Sequence, residues 1–227
     1  MRLELQGASL RFGNNKPLFE GVDLSIDAGQ FLIIEGPSGC GKSSLLRLLN
    51  RLQAPTAGSL SIDGAAAQDT DVTILRRRAI LVPQTPAATP ATTAGTVRDT
   101  LSWPFKFRSN ASRNPPTDET LRQRLDGLLL QNVALDDQCA PLSVGQRQRL
   151  ALLRALLLEP EILLCDEPTA ALDGVARAVI DTQLQTRCAA GVGVVIVTHQ
   201  PFAEPTTAPA TTIRRTRLQP DGLLEVT

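Results

Sequence analysis

The 227-residue sequence has little of what marks several large classes of protein. It has no excess charge of either sign, with 23 Lys and Arg against 23 Asp and Glu. No overall field therefore draws it to nucleic acid or anionic lipid. It has one histidine, and its four cysteines, at positions 40, 139, 165 and 188, form no CxxC pair. That pattern argues against a zinc site or a disulfide framework and fits reduced thiols in a cytosolic setting. Long hydrophobic runs are missing too. The most apolar stretch, residues 150–158, is interrupted by Arg154 and is too short to cross a bilayer. The opening residues, MRLELQGASLRF, carry no apolar signal core and alternate like a strand. Work at a membrane would need a partner that does the spanning. What is present is ordinary: 42% hydrophobic and 20% charged residues, enough to build one large domain or two small ones.

Along the chain, residues 1–35 read as three strands. Residues 3–5 and 8–12 alternate, residues 22–26 (VDLSI) alternate again, and Gly13-Asn14-Asn15 and Ala28-Gly29 supply turns. Residues 30–35 (QFLIIE) form a continuous apolar run, as in a strand buried on both faces of a parallel sheet. A helix is expected over 42–52, a short strand over 59–63, and an apolar stretch over 75–82 leads into a Pro/Thr/Ala-rich segment, 83–95. From 96 to about 158 the pattern is mostly helical, interrupted by the polar residues 109–118, with a proline stop at Pro160. Residues 162–165 and 192–197 are two more buried-type strands separated by a helix around 175–187. Strands and helices alternating on both sides of a helical insert indicate an α/β core with a helical subdomain. Residues 205–212 (PTTAPATT) read as a surface loop, and residues 223–226 as a returning edge strand.

Gly36-Pro37-Ser38-Gly39-Cys40-Gly41-Lys42-Ser43 matches the phosphate-loop pattern GxxxxGK[ST] in full. The glycines let the backbone curl so that successive N–H groups face phosphate oxygens, and the following helix offers its positive end to them. Lys42 is placed to reach the β- and γ-phosphates, and the Ser43 hydroxyl to ligate Mg²⁺, with Ser44 next in the helix. Cys40 fills a free position of the loop and has no chemistry of its own there. The pattern arises by chance in roughly one per cent of chains this size. Here a buried-type strand precedes it and a helix follows, so a glycine turn with an accidental lysine is the weaker explanation.

Residues 162–167 (ILLCDE) are an apolar strand ending in two acids. Carboxylates at the C-terminal end of a parallel strand sit in the crevice where open α/β sheets bind ligands. Neighbouring strand residues point to opposite faces, so the two acids can take different roles. Asp166 is the candidate Mg²⁺ partner and Glu167 the candidate base for the attacking water. Alone, an apolar run ending in two acids is as well explained by a solvated strand end.

With these residues in hand, the chain resembles a known family, the ATP-binding subunits of ABC transporters, from about Leu3 to His199 and with the motifs in the family's order. Leu142-Ser143-Val144-Gly145-Gln146 resembles the family signature LSGGQ, with Val144 departing from the usual glycine. Gln84 matches the glutamine of the Q-loop, Ala171-Leu172-Asp173 the D-loop, and His199, after a valine-rich strand, the switch histidine. Phe12 stands where an aromatic residue stacks on adenine, usually tyrosine. Each also has a plain structural explanation: Ser143 as a helix cap, His199 as a structural histidine, Phe12 as a strand-end core residue.

The resemblance implies a single domain over 1–227 with a P-loop NTPase core, a mainly parallel sheet and an N-terminal antiparallel β-subdomain. Residues 1–84 and 159–227 would supply these parts, and residues 85–158 an inserted α-helical subdomain carrying the signature. It implies ATP and Mg²⁺ as cofactors. Glu167, His199 and Gln84 are the implied catalytic residues, and Ser43, Gln84 and Asp166 the implied metal ligands. Phe12, Gly36 to Ser44, Ser143, Gly145, Gln146 and Asp173 are the implied nucleotide contacts. The γ-phosphate would meet Ser143 and Gly145 of a second copy, so the nucleotide becomes part of a dimer interface.

The implied partner is a separately encoded permease, placing the chain at the cytoplasmic face of the inner membrane, and no nucleic-acid partner is expected. A groove near Gln84 and Trp103 is the expected docking surface, although the apolar cluster around Trp103 is equally well read as the core of the helical subdomain. Gln84-Thr85-Pro86 with Thr96-Val97 and Trp103-Pro104 resembles a branch associated with export of iron or other metals. The alternative is an ABC ATPase outside transport, using nucleotide-driven dimerisation as a switch on a soluble partner.

Overall fold

The computed structural model describes residues 1–13, 16–86, 90–199, 213–219 and 224–226. Four expectations fall wholly or partly outside those residues: the loop at 205–212, the Asn14-Asn15 part of the first turn, residues 87–89 of the segment 83–95, and residue 223 of the returning edge strand.

The elements in chain order are β1 (Arg2–Leu10), β2 (Phe19–Asp27), β3 (Phe31–Glu35), α1 (Lys42–Leu49), β4 (Ala57–Ile62) and β5 (Ala65–Ala66). Then come α2 (Val72–Arg78), β6 (Ala79–Val82), α3 (Pro90–Thr93), α4 (Val97–Ser102), α5 (Asp118–Asp126) and α6 (Val144–Leu156). The chain continues through β7 (Ile162–Asp166), α7 (Gly174–Ala189), β8 (Gly193–Thr198), β9 (Ile213–Leu218) and β10 (Leu224–Val226). Two sheets result. One is antiparallel in the order β2-β1-β4-β5, and the other runs β10-β9-β3-β8-β7-β6. In the second sheet β9, β3, β8, β7 and β6 are parallel, and β10 pairs antiparallel at its edge.

The hydrophobic pattern explains both sheets. In β1 the buried residues are Leu3 and Leu5, then Ala8 and Leu10, so the alternation slips by one residue. A register shift between Leu5 and Ala8 absorbs the extra residue, and both halves keep the same face inward. In β3, β7 and β8 nearly every residue is buried, as the continuous apolar runs predict. Strand parity then divides the core. Leu32, Ile34, Leu164, Val195 and Val197 pack with α1 and the antiparallel sheet. Phe31, Ile33, Leu163, Cys165, Val194 and Ile196 pack with the leucines of α4 to α7.

The structure corrects two expectations and resolves a stretch that the sequence left unassigned. Helix α1 ends at Leu49 rather than at residue 52. Arg51 adopts a left-handed conformation (φ 55°). The N–H of Leu52 then reaches the Arg47 carbonyl at 2.9 Å and that of Arg51 the Leu48 carbonyl at 3.0 Å, which closes the helix end. Residues 75–82 split into α2, capped at its start by the Asp71 carboxylate, and β6. Residues 127–143 are turns rather than helix. Leu128, Leu130 and Val133 are buried there with Leu129 left-handed (φ 56°), so the chain turns while still feeding the core. Arg122 donates to the carbonyls of Leu130 and Val133, and Arg149 to those of Leu128 and Leu129, which satisfies backbone that no helix would pair.

Candidate nucleotide site

The parallel sheet gathers the chemistry at the C-terminal ends of β3, β7 and β8. Glu35 pairs with Thr198 and Asp166 with Val197, so the three strands finish level with one another. The loop after β3 leads through Gly41 into α1, whose N-cap offers no side-chain hydrogen bond to the first turn. Its N–H groups are thus left for a ligand. Pro37, Ser38 and Gly39 are exposed, whereas the Cys40 side chain is buried and only its backbone can meet a phosphate. Lys42 and Ser44 are buried in the first turn of α1. The Lys42 ammonium arches over the loop and donates to the carbonyls of Gly36 (2.7 Å) and Pro37 (2.9 Å).

The Ser43 hydroxyl donates to Asp166 Oδ1 at 2.9 Å, bridging α1 and β7. Burial pushes the Asp166 carboxyl above its ordinary value, opposed by the Ser43 hydrogen bond and the charges of Arg47 and Lys42. A hydroxyl and a carboxylate held together are hard oxygen donors. They fit Mg²⁺, which takes one or two protein oxygens and leaves its other positions to phosphate and water.

Glu167 is 8% exposed and left-handed (φ 51°), so it turns out of the line of β7. Its N–H donates to the Val197 carbonyl at 3.0 Å, and its Oε1 lies 2.7 Å from His199 Nδ1. A carboxylate oxygen only accepts, so the proton of this hydrogen bond sits on His199 Nδ1. Gln148, which follows the signature in Arg147-Gln148-Arg149 as in the family but was given no role from sequence, donates from Nε2 to the Glu167 carbonyl at 2.7 Å. Its signal was a polar residue on a buried helical face shared with Leu152 and Ala155.

Other expected residues lie around this centre. Gln84 is exposed two residues past the end of β6, next to β7 in the sheet. Phe12 is half exposed beyond β1, while Leu18 and Phe19, which pair with Leu10, lie against Gly41. Asp173 caps α7 by accepting from the Ala176 N–H at 2.8 Å. Ser143 caps α6, exchanging hydrogen bonds with Gln146 (2.8 and 3.2 Å). Gly145 fits tightly against Leu172 and Ala171, where an added Cβ would come within 3.1 Å. Among the described residues, no hydrogen bond joins Ser143, Gly145 or Gln146 to the phosphate loop of the same chain. The structure thus brings together Lys42, Ser43, Asp166, Glu167 and His199, and keeps the signature apart with an exposed N-cap and Val144.

The groove expected near Gln84 and Trp103 is not the cleft that the described residues form. A cleft of about 270 Å³ lies between α3, α4 and α6, lined by Pro86, Thr93, Thr100, Cys139, Leu150 and Arg154 among others. Trp103 is not part of it. Its ring instead packs edge-on against Phe107 at 6.0 Å, with the Lys106 ammonium over it at 5.6 Å. No helix among the described residues is long and apolar enough to cross a membrane.

Comparison with known proteins is consistent with this geometry. The family model described as ABC transporter matches residues 19–170. The glutamine transport ATP-binding protein GlnQ of Escherichia coli is 34% identical over 97% of this chain and 90% of its own. The aliphatic sulfonates import ATP-binding protein SsuB of Rhodopseudomonas palustris is 38% identical over 88% of this chain and 66% of its own. Protein STAR1 of Oryza sativa is 34% identical over 87% of this chain, which spans only 56% of that relative. Among solved structures, a dimeric ATP-binding cassette in a post-hydrolysis state bound to ADP and Pi superposes with a TM-score of 0.76. It is 30% identical and covers 99% of this chain and 98% of its own. None of these names speaks of iron or another metal, so the resemblance to a metal-export branch finds no support in them.

Proposed function

The chain belongs to the ABC transporter family as an ATP-binding, ATP-hydrolysing subunit, and from that premise we propose that two copies sandwich two ATP molecules and thereby drive a separate membrane permease. The observation that carries this is the Ser43–Asp166 and Glu167–His199 pairing at the mouth of the phosphate loop.

Each residue then has a role. Lys42 exchanges the Gly36 and Pro37 carbonyls for the β- and γ-phosphates, and the loop N–H groups hold the remaining oxygens. Ser43 and Asp166 would hold Mg²⁺, and Gln84, two residues past β6, would be a further ligand. When bound, the ion neutralises charge that develops on the transferring phosphoryl group. Glu167 orients the attacking water and accepts its proton. His199 fixes the Glu167 rotamer through Nδ1 and, with Nε2 also protonated, donates from it to a γ-phosphate oxygen. Phe12 supplies an apolar face for adenine. Ser143 and Gly145 of the second copy complete the site, and Asp173 lies at the same interface. The exposed α6 N-terminus favours this arrangement, as does the dimeric state of the similar cassette.

Residues 1–84 and 159–227 form the core in this account, and residues about 85–158 the helical arm. The cleft beside Pro86 receives a short permease helix, which holds the chain at the cytoplasmic face of the membrane. Its walls, mostly apolar with Arg147 and Arg154 among them, suit an amphipathic helix. The names of the glutamine and sulfonate relatives favour transport, and the latter favours import. The test is Mg²⁺-dependent ATPase activity of the purified chain, with Lys42→Ala expected to lose nucleotide binding itself. A wild-type chain that binds no ATP would overturn the proposal.

A further inference from the structure

Gln148 is a polar residue only 3% exposed, on the face of α6 that otherwise buries Leu152 and Ala155. Its Nε2 lies 2.7 Å from the Glu167 backbone oxygen. A carbonyl only accepts, so the amide nitrogen must be the atom that faces it. Gln148 Oε1 is buried and has no hydrogen-bond partner among the described residues. An orphaned acceptor costs stability, so packing alone gives no reason for glutamine here. What the residue contributes is one donor, aimed at one carbonyl.

That carbonyl belongs to a residue under strain. Glu167 is left-handed at φ 51°, a conformation disfavoured for any side chain with a Cβ. Three hydrogen bonds restrain its peptide groups: Glu167 N–H to the Val197 carbonyl at 3.0 Å, Ala170 N–H to the Glu167 carbonyl at 3.3 Å, and the shorter one from Gln148. The backbone turn is what sends the side chain to His199 instead of along β7. Gln148 is the only one of the three donors that comes from α6, the helix that starts at Ser143.

We propose that Gln148 is a positioning residue for hydrolysis, whose amide holds Glu167 in the left-handed turn that aims its carboxylate at the attacking water. The inference rests on Glu167 being the base, as proposed above. It also ties the base to the helix whose N-terminus meets the nucleotide of the second copy.

The test uses the full chain with Gln148→Met, which keeps length and helix propensity but deletes the donor. Steady-state and single-turnover ATPase rates are compared with those of Glu167→Gln and of the double variant. Gln148→Met should lower kcat about tenfold or more while KM stays within about twofold, since misplacing a catalytic group costs rate rather than binding. In the Glu167→Gln background the same change should cost nothing further, because the two residues act as one unit. Should Gln148→Met fail to fold, Gln148→Leu serves in the same comparison. Wild-type kcat in the folded single variant, or a double variant slower than Glu167→Gln by the full single-variant factor, overturns the inference. Wild-type hydrolysis by Glu167→Gln would instead remove the base assignment on which it stands.

Discussion

Gly41 is where the phosphate loop becomes a helix, and replacing it with alanine has a calculable cost. Its φ of 103° is one that residues with a Cβ avoid, at about 1–2 kcal/mol. The added Cβ would lie 2.8 Å from Phe19 Cδ1 and 2.9 Å from Leu18 Cδ2. Leu18 can swing aside, but Phe19 is fully buried and cannot, so an overpacking cost of about 1–3 kcal/mol is added. The total is about 2–5 kcal/mol. For a chain of this length each kcal/mol lowers Tm by roughly 2–4 °C, so Gly41→Ala should melt about 4–20 °C early. Gly39 is the internal control. Its φ is 83°, yet no atom lies within 4 Å of an added Cβ, so only the backbone cost of about 1–2 kcal/mol applies. Thermal melts of the two variants without nucleotide provide the assay. Coincident melting temperatures would refute the packing argument, because they would show that the core beside the loop accepts the extra carbon without strain.

Two further predictions concern the charges around the core. Ser43→Ala removes the hydroxyl from Asp166, a hydrogen bond to a charged group worth about 1.5–3 kcal/mol; the Mg²⁺ concentration for half-maximal ATPase activity should rise about tenfold or more, and an unchanged value would clear Ser43 of its role. Arg78 grips Glu161 with hydrogen bonds of 2.6 and 3.0 Å and holds its carboxyl below the ordinary 4.5. A depressed folded value means stability that is present above the unfolded value and lost as pH falls through the folded one. Glu161→Gln should therefore destabilise by less than about 1 kcal/mol at pH 7. That deficit should close as pH drops below about 4, and denaturant melts at pH 7 and pH 3.5 that show equal deficits would contradict it.

Much of this was legible because strand chemistry is local. The apolar runs of β3, β7 and β8, the loop from Gly36 to Ser43 and the acids ending β7 all follow from adjacent residues. What escaped depends on contacts far apart in sequence. Residues 127–143 fell inside the stretch read as mostly helical, yet arginines from α5 and α6 satisfy their carbonyls and let the chain turn instead. The left-handed turn at Glu167 and the donor that supports it from Gln148 are 19 residues apart, so no local pattern announces them. The signature illustrates a third case. Ser143 is a helix cap, as the plain structural explanation held, and the same cap leaves the α6 terminus exposed for a second copy.

The central claim, one ATP site completed by two copies with Glu167 as its base, is tested most directly by Glu167→Gln. Size-exclusion chromatography with light scattering in ATP and Mg²⁺, alongside ATPase turnover, gives both readouts at once. The account predicts an ATP-dependent shift from the 24.3 kDa chain to twice that mass, with turnover reduced about a hundredfold or more. A variant that hydrolyses ATP at the wild-type rate, or that stays monomeric at saturating ATP, would contradict it.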